Sequence, residues 1–188
     1  DTSYQFVTVQ DVTALLNGST IMFSDVVISE GSYVSSRYTA DTQNVEQRFI
    51  INDDRADTTT ITITVQNSAT DTTSSAYTLA TDISGLTSTS DVYFLQEVED
   101  GKYEIYFGDG VLGSAIEDGN IIIINYVVTN KGAANSAAVF VSSAAIDTVN
   151  SVNVRTVSPA AGGSEPESIE SIKYNAPLDY ASQGRCVT

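Results

Sequence analysis

Tyr103-Glu-Ile-Tyr-Phe-Gly-Asp-Gly-Val-Leu-Gly113 is followed by Asp118-Gly-Asn-Ile-Ile-Ile-Ile-Asn-Tyr126 and then by Lys131-Gly-Ala-Ala-Asn135. The order reads as strand, tight glycine turn, loop, strand and a second glycine turn. Four consecutive isoleucines, Ile121 to Ile124, argue for a strand buried on both faces, because β-branching disfavours a helix there. Ile121 and Ile123 are expected on one face of that strand, Ile122 and Ile124 on the other. Gly108, Asp109, Gly110 and Gly113 are expected to shape the backbone of a central hairpin, since Gly and Asp suit tight turns. No catalytic group stands here in a recognisable setting.

The flanking sequence has the same β character. Thr60-Ile-Thr-Ile-Thr-Val65 alternates with period two and places Ile61, Ile63 and Val65 on one face. Val92–Val98 and Lys102–Phe107 flank Glu99-Asp100-Gly101, the pattern of a hairpin. Weaker strands are expected at 5–9, 21–29, 45–51, 76–80, 137–142 and 152–157. Asp11-Val-Thr-Ala-Leu-Leu-Asn-Gly18 reads as a short helical turn ending at Gly18.

The character changes near residue 160. Pro159-Ala-Ala-Gly-Gly163 reads as a flexible hinge, and Ser164-Glu-Pro-Glu167 has the form of a capping box. Ile169, Ile172 and Ala176 then share one face of a helix that reaches Ser182 or Gln183, with Pro177 interrupting or restarting it. That face is expected to dock on its own domain or on a partner. Arg185-Cys-Val-Thr188 reads as the start of a further element, with Thr188 as a helix cap and Cys186 on a strand. The expected fold is mainly β, with antiparallel strands and hairpins in a sandwich-like or irregular arrangement and a short α-helical C-terminal portion. The expected domains are a mostly-β domain over 1–158, whose residues 1–44 are loosely attached, and a hinge plus helical segment over 159–188 that begins a further domain.

Composition narrows the chemistry. The 188 residues carry 24 Asp plus Glu against 8 Lys plus Arg, a net charge of −16. Phosphate backbones need clustered cations, so neither nucleic acid nor an acidic lipid surface is an expected partner. Nowhere does an apolar run approach ~18 residues, which argues against a membrane-spanning helix. The chain has no histidine and a single cysteine, Cys186. Histidine-based triads and zinc sites therefore have no material here, and no intrachain disulfide can form. Asp53, Asp54 and Asp57 cluster in one stretch and are the candidate ligands for calcium, although the spacing and glycine of an EF-hand are missing. Gly108–Gly113 lacks the Lys-Ser/Thr and the following helix of a phosphate loop. Tyr33, Tyr38, Tyr77, Tyr93, Tyr103 and Tyr106 could stack on sugar rings, but strand tyrosines ordinarily serve cores and interfaces. No cofactor, catalytic residue or small-molecule substrate is expected.

The order of motifs carries more than any one of them. Gln47-Arg-Phe-Ile-Ile51, Ala56-Asp-Thr-Thr-Thr-Ile-Thr-Ile63, Val92-Tyr-Phe-Leu-Gln-Glu97, Tyr103–Gly110, Asn120–Tyr126 and Gly132-Ala-Ala-Asn135 follow one another as in the baseplate wedge proteins of T-even-like contractile phages, which the chain resembles. Gly162-Gly-Ser-Glu-Pro-Glu167, Ala176-Pro177 and Gln183–Thr188 look like the wider baseplate J-like family. The resemblance covers about residues 45–188, and the family pattern continues beyond Thr188 into a helical domain. It implies a structural protein, not an enzyme, assembled in the host cytoplasm into the virion's tail baseplate. Its implied partners are other wedge subunits and copies of itself, in a ring around the tail hub that holds the sheath. A carbohydrate- or cell-binding β module of an adhesin or tail-fibre protein is the alternative, suited to the Thr/Ser/Asp/Asn-rich composition.

Overall fold

A computed structural model describes residues 2–44, 47–147, 149 and 151–182. It contains two compact units, Asp1–Asn130 and Lys131–Thr188.

Among the described residues the first unit has eleven strands. Three short ones, β1 (Phe6–Val7), β2 (Leu15–Asn17) and β3 (Thr20–Met22), precede β4 (Ser29–Glu30) and β5 (Ser32–Thr39). Then come β6 (Phe49–Ile51), β7 (Ala56–Gln66), β8 (Ser74–Leu79), β9 (Val92–Glu97), β10 (Tyr103–Phe107) and β11 (Ile121–Val128). Seven of them form one sheet in the order β5-β11-β7-β8-β9-β10-β6. Neighbours are antiparallel except β8 and β9, which run parallel through Thr78↔Val92 and Leu79↔Tyr93. The long connection over 80–91 is what a parallel neighbour requires.

The sheet curls until its edges meet. Tyr38 on β5 donates its hydroxyl to the carbonyl of Ile50 on β6 at 3.2 Å, and its ring lies 5.3 Å from that of Phe49. The inward faces then enclose one core, in which Phe49, Ile63, Ile105, Ile122 and Ile124 are almost wholly buried. Phe107 bridges it, edge-on to Phe49 at 5.8 Å and to Tyr77 at 5.3 Å. The mainly-β expectation with one C-terminal helix is met, and its arrangement is this single, nearly closed sheet.

Ile61, Ile63 and Val65 all face the core, as their alternation predicts. On β11, Ile122, Ile124 and Tyr126 point into it, while Ile121 and Val127 are buried on the opposite side and Ile123 is half-buried there. Val127 is sealed by Gly31. A Cβ at Gly31 would lie 2.6 Å from Val127 Cγ1 and 2.3 Å from the Val128 carbonyl oxygen, and its φ is +133°. Only glycine satisfies both conditions. Beside this contact the β7–β11 register shifts between Asn125 and Val127. The buried Thr60 repairs the break: its hydroxyl accepts the Val127 N–H at 2.9 Å and donates to the Asp57 carbonyl at 2.7 Å.

The sheet corrects several expectations. The β9–β10 hairpin forms as expected, closed by Val98 N–H to the Lys102 carbonyl at 2.8 Å. The central hairpin through Gly108–Gly113 does not form, because β10 pairs with β9 and β6 whereas β11 pairs with β5 and β7. Residues 11–18 make no helical turn; β2 and β3 form a hairpin with Gly18 at φ +63° in its two-residue loop. Strand β5 has no counterpart among the strands expected from the sequence. Of the expected strand over 21–29, only its two ends are extended in pairs, as parts of β3 and β4. Residues 45 and 46 of the expected 45–51 strand lie outside the described residues.

In the second unit a short 3-10 turn, Lys131–Ala134, leads through irregular chain to helix α1 (Ile169–Ser182). Neither 137–142 nor 152–157 is a strand. Val139, Val141 and Val157 are each more than 80% exposed and find no ladder partner. Residues 159–163 are tied back instead: Ser136 N–H reaches the Ala160 carbonyl and Ala160 N–H the Ala137 carbonyl, both at 2.8 Å. Asn135 grips Gly163 through both its amide atoms, at 2.7 and 3.1 Å. Helix α1 starts four residues later than the Ser164 capping box predicts. Ser168 is the cap, its hydroxyl accepting the Ser171 N–H at 3.2 Å and its carbonyl the Ile172 N–H at 2.9 Å. Pro177 lies inside the helix without ending it. Gln183 and the element expected over 185–188, Cys186 and Thr188 included, lie outside the described residues.

Candidate interaction surface

Two of the three carboxylates of the calcium candidate, Asp53 and Asp57, are already engaged. Asp53 accepts the Arg55 backbone N–H at 3.0 Å and pairs with its guanidinium at 3.3 Å. Partial burial alone would raise the Asp53 pKa, but these bonds to Arg55 outweigh it and hold it below the ordinary carboxylate value. Asp57 accepts both the N–H and the hydroxyl of Thr59, at 2.9 and 2.7 Å. Asp54 is exposed. Among the described residues no three acidic, histidine or cysteine side chains are grouped to hold a metal ion.

The glycine loop is a brace between β10 and β11. Asp109 accepts the N–H groups of Val111 and Leu112 at 2.9 and 3.0 Å. The Leu112 bond, then the Val111 bond, hold the Asp109 carboxyl below its ordinary pKa. Gly110 and Gly113 have φ of +82° and +87°, and a Cβ at Gly108 would sit 2.4 Å from the Gly113 carbonyl carbon. The loop is fastened to the preceding connection by Gly113 N–H to the Thr87 carbonyl at 3.0 Å and Ser114 N–H to the Ser90 carbonyl at 2.8 Å. Behind it Ile116 packs on the core. These four residues thus shape a crossing between strands that are not neighbours.

The tyrosines considered for sugar stacking are mostly spent on packing. Tyr93 is core, Tyr77, Tyr38 and Tyr103 pack against it, and burial pushes the Tyr93 and Tyr77 hydroxyls up in pKa. Tyr106 is stacked on Phe94 at 5.2 Å on the outer face, with the Arg48 guanidinium 4.9 Å above its ring.

Exposed apolar side chains are scattered through the chain, and two groups of them each share one element. On α1, Ile169 is 65% and Ile172 48% exposed, Ala176 is exposed too, and Tyr174 and Leu178 leave other sides of the helix equally bare. The larger group lies on an arm over residues 8–28, where the sequence predicts only weak strands and a turn. Its base is fixed: β1 pairs with β4, Gly31 N–H reaches the Gln5 carbonyl at 2.9 Å, and the Glu30 carboxylate takes the Asn130 N–H and side-chain amide at 2.8 and 2.6 Å. Its tip is the β2–β3 hairpin, where Leu15 faces Met22 and Leu16 faces Ile21, all more than half exposed. An isolated two-stranded ribbon is marginal in water, so such an arm calls for a cover. The run Val12–Ser24 without a single charge was the available signal.

Residues 36–142, from within β5 to beyond β11, match the family described as bacteriophage baseplate wedge protein gp6, third domain. The chain belongs to this gp6 third-domain family. Baseplate wedge protein gp6 of Enterobacteria phage T4 is a relative, 30% identical over 124 residues that take in 54% of this chain and 19% of that protein. The match therefore spans about a fifth of the relative's length. The matched residues take in most of the curled sheet, and the arm over 8–28 lies before them.

Proposed function

We propose that this chain is a structural module of a phage tail baseplate wedge, located in the virion's baseplate. It makes contacts with other wedge subunits and with copies of itself in the ring around the hub of a contractile tail, and it has no enzymatic activity. The observation that carries this reading is the gp6 third-domain match across the curled sheet. The geometry supports it: Asp53, Asp57 and Asp109 are bonded within their own turns, the glycine loop is a brace, and an arm and a helix each carry several bare apolar side chains. The helix face of Ile169, Ile172 and Ala176 is one proposed contact.

Immunogold electron microscopy of a lysate of the source phage, with antibody against this chain, tests the reading. Gold confined to the end plate of contractile tails is the expected result. Gold on fibre tips or cell surfaces, with bare baseplates, would overturn it and bring forward the carbohydrate- or cell-binding alternative.

A further inference from the structure

The chain has one Asn-Gly step, Asn17-Gly18, and it stands at the tip of the arm. Asn17 ends β2 opposite Thr20, and Gly18 opens the two-residue loop with φ +63°. Both residues are exposed. An asparagine side chain can be attacked by the main-chain nitrogen of the next residue, because bonding of that nitrogen to Cγ closes a five-membered ring. Glycine favours the attack, since it sets no Cβ beside the nitrogen. At Gly18 the space is open as well: a Cβ there would meet nothing within 4 Å.

The reacting groups are free only here. Among the described residues neither the Asn17 side chain nor the Gly18 N–H has a hydrogen-bond partner. Asn-Ser, another step with a small second residue, occurs twice among the described residues and is held shut both times. Asn67 donates its amide to Asp71 at 2.9 Å, and the Ser68 N–H is bonded to the Asp71 carbonyl at 3.1 Å. Asn135 is bonded to Gly163 through both its amide atoms, and the Ser136 N–H to the Ala160 carbonyl at 2.8 Å. The arm also lets its groups meet. Strands β2 and β3 pair through three residues each and have no third strand. Such a ribbon is marginal in water, so its tip opens locally at little cost. Although the chain carries a net charge of −16, Val12–Ser24 contains no acidic side chain to oppose the negative charge that builds during attack.

We infer that Asn17 is a site of spontaneous deamidation, and that its conversion unpicks the arm. The Gly18 nitrogen bonds to Asn17 Cγ, the Cγ–Nδ2 bond breaks, and ammonia leaves with the proton that the Gly18 nitrogen gives up. The succinimide ring then takes up one water at either carbonyl and opens to an aspartyl or an isoaspartyl residue. Amide and water thus become carboxylate and ammonium, with no oxidant or reductant. The isoaspartyl product runs the main chain through Cβ and lengthens it by one methylene. It does so beside a loop whose length sets the Leu15↔Met22 and Leu16↔Ile21 register. Either product puts a carboxylate into the uncharged run Val12–Ser24. This chemistry is independent of the wedge reading.

The whole chain is incubated at mildly alkaline pH in water labelled with heavy oxygen, with and without urea. Mass spectrometry follows each Asn-containing peptide, and methylation by a protein isoaspartyl methyltransferase reports the linkage. In the folded chain Asn17 should convert about tenfold or more faster than Asn67 and Asn135. Urea should speed those two by about tenfold, the factor for breaking a hydrogen bond or two before attack, and Asn17 by less than about threefold. Asn17→Gln, which would need a six-membered ring, should stop conversion at this position. Cross-strand contacts of β2 and β3 in nuclear magnetic resonance spectra should be lost from isoaspartyl chains and kept in Asn17→Gln, with the large sheet unchanged in both. Asn17 as slow as Asn135 in the folded chain, a urea acceleration of Asn17 equal to theirs, or an intact β2–β3 ladder in isoaspartyl chains would each overturn the inference.

Discussion

The hydroxyl of Thr60 is a single-atom test of how the sheet tolerates its register break. Where β7 and β11 slip between Asn125 and Val127, the Val127 N–H is buried with a completely inaccessible side chain around it. Its acceptor is Thr60 Oγ1 at 2.9 Å. Thr60→Val keeps the shape of the side chain and removes that oxygen, so it strands a buried donor and also frees the Asp57 carbonyl. A buried unsatisfied donor costs about 1–3 kcal/mol. A value of about 2 kcal/mol lowers Tm by roughly 4–8 °C in a chain of this size. Thr60→Ser keeps the oxygen and loses one methyl, a cost of about 0.8 kcal/mol or less. Urea and thermal melts of the wild type, Val and Ser variants are the assay. Thr60→Val within about 0.5 kcal/mol of wild type, or Thr60→Ser the more damaging of the two, would refute the role assigned to this hydroxyl.

Gly31→Ala should destabilise by about 2–4 kcal/mol, through a φ of +133° and a 2.3 Å approach to the Val128 carbonyl oxygen; an unshifted urea midpoint would show that the Gly31–Val127 seal is not required. Tyr38→Phe should cost about 0.5–1.5 kcal/mol by removing the bond to the Ile50 carbonyl that joins the sheet's edges, and a neutral result would mean that ring packing alone holds them. The Asp109 pKa is depressed in the folded chain, so its stabilisation is present above the ordinary carboxylate pKa and is lost as pH falls through the folded value. Asp109→Asn keeps an acceptor for the Val111 and Leu112 N–H groups, and should flatten the fall of Tm between about pH 5 and pH 2; a slope equal to wild type would contradict this. Millimolar calcium should leave Tm within about 1 °C, since Asp53 and Asp57 are bonded within their own turns, and a rise of several degrees in a calcium titration would count against that account.

Strands that bury one clean face were legible. Ile61, Ile63 and Val65 announce β7 by period two, and the β9–β10 hairpin is announced by its Asp-Gly turn. The isoleucines of β11 gave its position and its burial on two sides, but not its neighbours. Pairing is decided by tertiary contacts that no local pattern encodes, and the glycine loop shows why: Gly-Asp-Gly fits any tight bend, whether it joins neighbours or crosses to another part of the sheet. Strand β5 was missed because Ser32-Tyr-Val-Ser-Ser-Arg-Tyr-Thr39 buries little, lying at one edge of the sheet. Val139, Val141 and Val157 show the converse: apolar residues without a partner strand give no strand. The helix start was displaced because Ser164 and Ser168 both suit a cap, and only the fold decides between them.

The position of β11 has a consequence for how the protein is made. It is the last strand of the sheet to leave the ribosome, yet it lies between β5 and β7, which emerge long before it. Those two strands must wait, with facing edges unsatisfied, through the synthesis of more than fifty intervening residues. Closure is thus a late, long-range event, of the kind that folds slowly and leaves nascent chains open to aggregation. A short interval, or cover for β5 and β7 until their common neighbour arrives, limits that exposure.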